Sequence, residues 1–107
     1  MPKTYDENYY AFKPITENPI ILDFSGCTTW KMIQDLLKEK FGLPEYYGEN
    51  WDALWDCLDG LFDKNTVVEI YGYNKMNEEL KEYCKPMLEI FDDLQESSSD
   101  VVFKFIS

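Results

Sequence analysis

Three short apolar runs, separated by segments with helical periodicity, constrain the fold of this chain most strongly. The runs read IILDF, TVVEIY and VVFKFI and span Ile20 to Phe24, Thr66 to Tyr71 and Val101 to Ile106. β-Branched and aromatic residues favour strands, and strands that are apolar almost throughout are typical of parallel sheets covered by helices. The alternation predicts an α/β domain with a small parallel sheet. Glu69, inside the second run, is either exposed at a strand edge or a paired buried acid.

Apolar residues at helical spacing predict the helices around this sheet. One helix begins after Thr28 or Thr29, either of which can cap it, and ends before Gly42. A short helix follows the second strand, and a further helix begins near Pro86, a residue tolerated at the first helical position. The predicted core face of the first of these helices consists of Trp30, Ile33, Leu36, Leu37 and Phe41.

Another helix, predicted from residue 51 onward, carries two distinct stripes. Asn50 is a good N-cap, because its side-chain oxygen can accept a free N–H of the first turn. At about 100° per residue, one stripe covers about 120°, is apolar and faces the core. It consists of Trp51, Leu54, Trp55, Leu58, Leu61 and Phe62. The other covers about 60° and consists of Asp52, Asp56, Asp59 and Asp63.

Most charge runs are ordinary solvated faces, but the setting of this acidic stripe favours a role in binding. Like charges four residues apart destabilise a helix by about 0.2–0.5 kcal/mol per pair, and no lysine is interleaved to offset them. Between Lys40 and Lys64 the chain has six acidic residues and no basic one. A cationic partner would relieve this repulsion, so we expect the stripe to bind one.

The composition excludes several classes of function. The chain has 21 acidic residues against 10 lysines, a net charge of −11, no arginine and no histidine. Without histidine there is no Ser–His–Asp or Cys–His arrangement and no imidazole metal ligand. Phosphate neutralisation dominates binding to nucleic acid, so a chain of this charge is not expected to bind it. A basic partner or a cation is expected instead.

The cysteines and the hydropathy pattern indicate a cellular location. Cys27, Cys57 and Cys84 are an odd number at wide spacing, which is neither a disulfide framework nor a zinc pattern. Cys57 is placed on the flank of the central helix with partial exposure, which a reducing compartment tolerates. The N-terminus has no apolar signal-peptide run, and no segment is long enough to span a membrane. These features predict a cytoplasmic protein without membrane contact.

Two other uses of the acidic residues have weaker support. Asp56, Asp59 and Gly60 match part of a calcium loop, but the alternating ligands and the terminal glutamate are missing, so no metal ion or other cofactor is expected. Asp52 and Asp56 could act as acid and base in sugar hydrolysis. That reaction needs a large cleft, of which a chain of 107 residues gives no sign.

Aromatic residues beside the acidic stripe have the composition of a protein-binding hot spot. Tyr46 and Tyr47 lie on the turn before the helix, and loop residues are usually exposed. Exposed tyrosine beside tryptophan and carboxylate is typical of interface hot spots. On the helical wheel Trp51 points to the core, while Trp55 lies where the core face meets the acidic edge.

Residues 1–18 and residues 19–107 are predicted to play different roles. At 107 residues the chain has the length of one domain with a single core, which we assign to residues 19–107. Residues 1–18 form either an arm that packs on this domain, through a short extra strand, or an unstructured leader. The aromatic residues of this segment are Tyr5, Tyr9, Tyr10 and Phe12.

The central stretch resembles a known family. LPEYYGEN, then a hydrophobic residue, then DALWDCL and Gly60 are similar to the signature of the barstar family, small intracellular inhibitors of secreted ribonucleases such as barnase. The likeness extends from Ile21 to about Asp100. It implies a compact α/β domain with a three-stranded parallel sheet covered by about four helices. It also implies a stoichiometric 1:1 inhibitor, not an enzyme, whose helix and preceding loop plug the ribonuclease active site.

Carried over by position, the resemblance assigns a set of partner contacts, with a barnase-like, small, basic, extracellular-type ribonuclease as the partner. Asp56 would take the place of the substrate phosphate among the enzyme's cationic groups. Asp59 joins the set from the acidic stripe, and Asp93 matches a family glutamate that reaches the enzyme. The contacts matched directly are Tyr46, Tyr47, Gly48, Asn50, Trp51, Asp52, Trp55, Asp56 and Gly60.

The chain departs from the family pattern at the rim of this surface. Trp51 stands where the family has leucine, Asp59 where it has threonine, and Leu61 where it has an aromatic residue. Asp93 is shorter than the matching glutamate, and Ser97 replaces a second acid. Changes at a rim alter partner choice more readily than they remove binding. The expected partner is therefore a related ribonuclease, and a basic protein of another kind is the alternative.

Overall fold

The computed structural model describes residues 12–15, 17–62, 65–98 and 100–106. The strands are β1, Ile20–Asp23; β2, Thr66–Tyr71; and β3, Val101–Ile106. The helices are α1, Trp30–Phe41; α2, Trp51–Leu58; α3, Glu78–Tyr83; and α4, Lys85–Ser97. Along the chain the order is β1, α1, α2, β2, α3, α4, β3, with a short 3₁₀-helix, Tyr73–Lys75, after β2. None of the described helices is long and apolar enough to cross a bilayer.

The three strands form one parallel sheet in the order β1-β2-β3, which confirms the predicted α/β fold with three strands and four helices. Ile20 pairs with Val68, which in turn pairs with Phe103. The buried strand residues alternate along each strand, so they share one face of the sheet. They pack there with the buried faces of the helices in a single core. The buried strand residues are Ile20, Leu22, Val68, Ile70, Val101 and Phe103.

Glu69 lies on the opposite face of the central strand, where it is half-buried. Its neighbours in register are Ile21 and Lys104, and its carboxylate accepts a hydrogen bond of 2.7 Å from the hydroxyl of Tyr71. Neither interpretation from the sequence is right, because the residue is not at a sheet edge and is not fully buried.

α1 begins and ends at the predicted residues. The Thr29 side chain accepts a hydrogen bond from the backbone N–H of Met32, and Gly42 ends the helix in the left-handed conformation with φ 63°. Trp30 was predicted on the core face, but its side chain is 51% exposed. The prediction was wrong because Trp30 occupies the first helical position, where its ring lies against Tyr83 instead of in the core.

α2 ends at Leu58, earlier than the apolar periodicity predicts. Asp59 has an extended backbone, and Gly60 has a φ of 81°, which glycine adopts far more readily than other residues. The helix therefore stops before Leu61 and Phe62. Both of these side chains still pack partly buried against the core, from the turn after the helix.

The early end of α2 shortens the predicted acidic stripe. Asp52 and Asp56 lie on the helix, one turn apart and exposed. Asp59 is the C-cap, so its side chain does not continue the helical edge. Asp63 lies outside the described residues.

The three cysteines are free thiols. Cys27 is partly buried, and Cys57 and Cys84 are buried. The expectation of a partly exposed Cys57 was wrong, because its side chain packs into the core and is only 8% exposed. Burial, and to a smaller extent the charge of Asp56, raises the pKa of the Cys57 thiol. Burial likewise raises the pKa of Cys84 to about 12.

The described part of the N-terminal segment contacts the folded core. The backbone N–H of Lys13 donates to the carbonyl of Gly42 at 2.8 Å, and the Lys13 ammonium lies 3.2 Å from the carboxylate of Glu45. Asn18 accepts a hydrogen bond of 3.1 Å from the N–H of Val67. Residues 12–15 contain no strand. The aromatic residues Tyr5, Tyr9 and Tyr10 lie outside the described residues.

Replacing Gly42 by alanine should destabilise the fold more than the same change at Gly60. Both residues have positive φ, 63° and 81°, so each alanine costs about 1–2 kcal/mol in backbone conformation. At Gly42 the new Cβ would also lie 2.3 Å from the Lys13 carbonyl oxygen, whereas at Gly60 it meets no described atom within 4 Å. Urea unfolding should show at least about 1 kcal/mol more loss for Gly42→Ala. Equal losses would show that residues 12–15 are not held against Gly42.

Candidate protein-binding interface

The loop between α1 and α2 turns tightly into the helix. The N–H of Tyr47 donates to the carbonyl of Pro44 at 3.0 Å, and Glu49 has a φ of 55°. Asn50 caps α2 as predicted, because its side-chain oxygen accepts a hydrogen bond of 2.8 Å from the N–H of Ala53. Its amide nitrogen donates to the carbonyl of Gly48 at 3.3 Å. The cap therefore joins the helix to the loop before it.

A buried hydrogen-bond network holds this loop against α1 and α3. The Tyr47 hydroxyl donates to the Gln34 side-chain oxygen, and the Gln34 amide donates to the Tyr83 hydroxyl at 2.8 Å. Gln34 is fully buried, and Tyr47 is 5% exposed. Burial, more than the neighbouring Tyr83, Cys57 and Glu49, raises the pKa of Tyr47, so its hydroxyl stays a donor.

Tyr46 and Tyr47 therefore differ, although both were expected at the surface. Tyr46 is 43% exposed, while Tyr47 belongs to the core cluster. The expectation for Tyr47 was wrong because a loop residue can be buried when its polar group finds a partner, here Gln34. The direct role of Tyr47 is thus to position the loop.

Trp51 and Trp55 are both half-buried. The indole N–H of Trp51 donates to the backbone carbonyl of Tyr83 at 3.1 Å, and the two rings lie 4.9 Å apart between centroids. The helical wheel assigns Trp51 to the core, and the family resemblance assigns it to the interface. Its side chain lies between the two, packed against the core and still partly exposed. α3 fixes the orientation of its ring.

The acidic residues of this region fall into two groups. Glu49 forms an ion pair of 2.7 Å with Lys31. Glu45 accepts hydrogen bonds from Lys13 and Lys38, and these bonds, the one from Lys13 most, lower the pKa of its carboxyl. The second group, from α2 and its C-cap, forms no ion pair within the described ranges. Its members are Asp52, Asp56 and Asp59.

An open cavity of about 640 Å³ brings six of the eleven predicted contact residues together. These six are Tyr46, Tyr47, Gly48, Asp56, Asp59 and Gly60. Phe12, Ala53, Cys57 and Leu61 complete its lining. The surface combines carboxylates with aromatic and apolar groups, as protein interfaces do.

Five predicted residues lie outside this cavity. Asn50, Trp51, Asp52 and Trp55 lie on the cap and the helix next to it. Asp93 is exposed on α4, which packs against α2. A second cavity of about 210 Å³ lies between these helices and is lined by Asp59, Gly60, Leu94 and Ser97 among others. Ten of the eleven predicted contacts therefore lie on α2 or on the turns directly before and after it, and Asp93 lies on the neighbouring α4.

Three residues that contribute to this region were not predicted from the sequence: Gln34, Tyr83 and Phe12. Gln34 carried a usable signal, because it is a polar residue within the apolar spacing 30, 33, 34, 37 and 41 of α1. Tyr83 and Phe12 carried none, since both depend on contacts between distant parts of the chain. Among the described residues, no group of three or more potential ligands could hold a metal ion.

Comparisons with known proteins identify the family that this chain matches. A family model described as Barstar (barnase inhibitor) matches residues 18–106. The chain is also similar to YrdF of Bacillus subtilis (strain 168), which is provisionally named a ribonuclease inhibitor. The two are 37% identical over 87 residues, which cover 81% of this chain and 94% of YrdF.

Removing the Tyr47 hydroxyl should destabilise the fold more than removing a hydroxyl elsewhere. Tyr47→Phe leaves the buried Gln34 oxygen without its donor, which costs about 1–3 kcal/mol. Tyr71→Phe removes the same atom beside Glu69, which is half-buried and open to water, so the loss should be at most about 1 kcal/mol. Urea unfolding measures both. If Tyr47→Phe unfolds no earlier than Tyr71→Phe, the network does not hold the loop.

Proposed function

The chain belongs to the barstar family of ribonuclease inhibitors, and we propose that it blocks the active site of a small, basic, barnase-like ribonuclease. The complex is 1:1, and α2 with the preceding loop enters the catalytic cleft. The inhibitor acts in the cytoplasm and protects the producing cell from its own secreted enzyme. The observation that carries this proposal is the group of aspartates, without an ion-pair partner among the described residues, beside a cavity lined by two tyrosines.

The charge distribution supports this mechanism. A ribonuclease binds a polyanion, so its active site is cationic, and a chain of net charge −11 is attracted to it. Asp56 lies on the cavity and takes the place of the substrate phosphate among the cationic groups. While the inhibitor occupies these groups, RNA cannot reach them.

The rigidity of the loop supports tight binding. Gln34, Tyr47 and Tyr83 fix the loop through buried hydrogen bonds, and Asn50 fixes the start of α2. A surface that is ordered before association loses less conformational entropy on binding. Binding free energy is then available for the contacts themselves.

A basic partner other than a ribonuclease is the second candidate. The residues that favour it are Trp51 and Asp59, which differ from the family pattern at the rim of the surface. Affinity capture separates the two candidates, with the full chain immobilised and the secreted proteins of the producing cell passed over it. Recovery of a small basic ribonuclease, inhibited by the chain at a 1:1 ratio, supports the first. Recovery of a basic protein without ribonuclease activity supports the second.

Association should be strongly salt-dependent. Attraction between an acidic inhibitor and a basic cleft speeds encounter, and salt screens it beyond about 8–10 Å near physiological ionic strength. Stopped-flow measurements at about 20 mM and about 500 mM NaCl should show an association rate that falls at least tenfold, with a smaller change in dissociation. An association rate that does not change with salt would contradict electrostatic steering.

Removing the charge of Asp56 should affect stability and binding in opposite directions. Asp56→Ala removes an unfavourable i,i+4 pair with Asp52, so the fold should gain about 0.2–0.5 kcal/mol. Inhibition should weaken by about 2–5 kcal/mol or more, because the partner's cations are left buried and unpaired. That scale comes from interface measurements that include barnase and barstar themselves. Thermal melting and inhibition assays measure the two effects.

The matched control is Glu39→Ala, which removes the same charge from the last turn of α1. Glu39 lies outside the cavity at α2, so the variant should inhibit almost as well as the unmodified chain. A loss of several degrees in melting temperature with full inhibition for Asp56→Ala would show that Asp56 is structural. The acidic edge of α2 would then be only a solvated face.

A further inference from the structure

Phe12 lies at the candidate interface but outside the part of the chain that matches the family. The family match begins at residue 18, and Phe12 lines the same cavity as Asp56 and Gly60. Its side chain is 41% exposed, so part of the ring is open to solvent at this cavity. A partner that covers the cavity would therefore cover the ring as well.

The backbone next to Phe12 is anchored to the interface loop. The N–H of Lys13 donates to the Gly42 carbonyl at 2.8 Å, directly before the loop begins. This approach requires glycine, because a Cβ at position 42 would lie 2.3 Å from the Lys13 carbonyl oxygen. An ion pair of 3.2 Å between Lys13 and Glu45 adds a second attachment, this time to the loop itself. The ring of Phe12 is thus placed beside the site by contacts of its neighbour.

We propose that Phe12 is a partner-contact residue and that it contributes to the choice of which ribonuclease the chain inhibits. This inference rests on the function proposed above. The partner must present an apolar or cationic patch beside its cationic active site, because an aromatic ring can bind either kind of group. A patch of this kind can differ between ribonucleases that have the same catalytic groups.

The location of Phe12 also affects the charged contacts. When a partner covers the cavity that Phe12 and Asp56 both line, the ring becomes buried and excludes water from the rim. Ion pairs are stronger where water is excluded, so the ring strengthens contacts that it does not make itself. Interface hot spots are commonly surrounded by contacts that exclude water in this way.

The test compares four variants of the full chain against two probes, purified barnase and the ribonuclease that the immobilised chain retains. Phe12→Ala should raise the inhibition constant for the retained ribonuclease at least tenfold, and Phe12→Leu should raise it less. Val102→Ala is the matched control, since Val102 is similarly exposed, at 43%, but on the sheet face opposite the core, and it should change nothing. Asp56→Ala is the reference variant, because Asp56 is proposed to lie at the centre of the interface. The effect of Phe12→Ala should differ between the two enzymes, which shows its role in selectivity.

The outcomes separate this inference from the proposed function. If Asp56→Ala weakens inhibition and Phe12→Ala does not, the inference is wrong while the proposed function stands. If Phe12→Ala tightens inhibition, the ring covers the site instead of contacting the partner, and the inference is also wrong. If the unmodified chain inhibits neither enzyme, both fail. Should Phe12→Ala lower the melting temperature by many degrees, inhibition is measured at a temperature at which this variant is still fully folded, and unchanged inhibition there would exclude a partner contact.

Discussion

The candidate interface depends on one buried amide. Gln34 is fully buried, and a polar group in that position costs free energy unless its donor and acceptor are both satisfied. Tyr47 satisfies the acceptor from the loop, and Tyr83 satisfies the donor from α3. The same Tyr83 holds Trp51 through its backbone carbonyl and its ring. Gln34 of α1 therefore connects the loop, through Tyr47, with Tyr83 and so with the start of α2.

The charges near the loop are divided between folding and binding. Lysines from α1 and the N-terminal segment neutralise Glu45 and Glu49, which fastens the loop to the rest of the domain. Exposed ion pairs contribute little stability individually, so these pairs add to the hold that the buried hydrogen bonds of Gln34 already provide. Asp52 and Asp56 receive no such partner from the described residues and remain available to an external cation. The loop is thus fixed by paired charges, while the helix after it keeps unpaired charges at the surface.

Local signals in the sequence were sufficient for most of the fold. The β-branched run of β2 gave its bounds, and Thr29, Gly42 and Asn50 gave the ends of helices, because capping depends on neighbouring residues alone. The end of α2 could not be predicted in this way. Apolar periodicity continues through Phe62, but the left-handed backbone of Gly60 had already ended the helix.

The errors at the site have a different origin, since they concern contacts between distant segments. Tyr47 was expected at the surface because it lies in a loop, and only its partner Gln34, 13 residues earlier, explains its burial. Trp30 has core periodicity, yet its ring lies against Tyr83 at the start of the helix. The eleven contact residues came from spacing and resemblance, which give positions along the chain and not side-chain environments. Residue spacing and family resemblance therefore indicate a binding surface more readily than they indicate the buried residues that support it.

Gly42 shows how these separate requirements meet in one residue. Its left-handed backbone ends α1, and its missing Cβ leaves room for the Lys13 carbonyl. A residue with a side chain at this position would oppose both the end of the helix and the approach of the N-terminal segment. The position of Phe12 at the cavity therefore depends on a glycine that the helix needs in any case. The contact at Gly42 involves the backbone of Lys13, so a change in the Phe12 side chain leaves that contact in place.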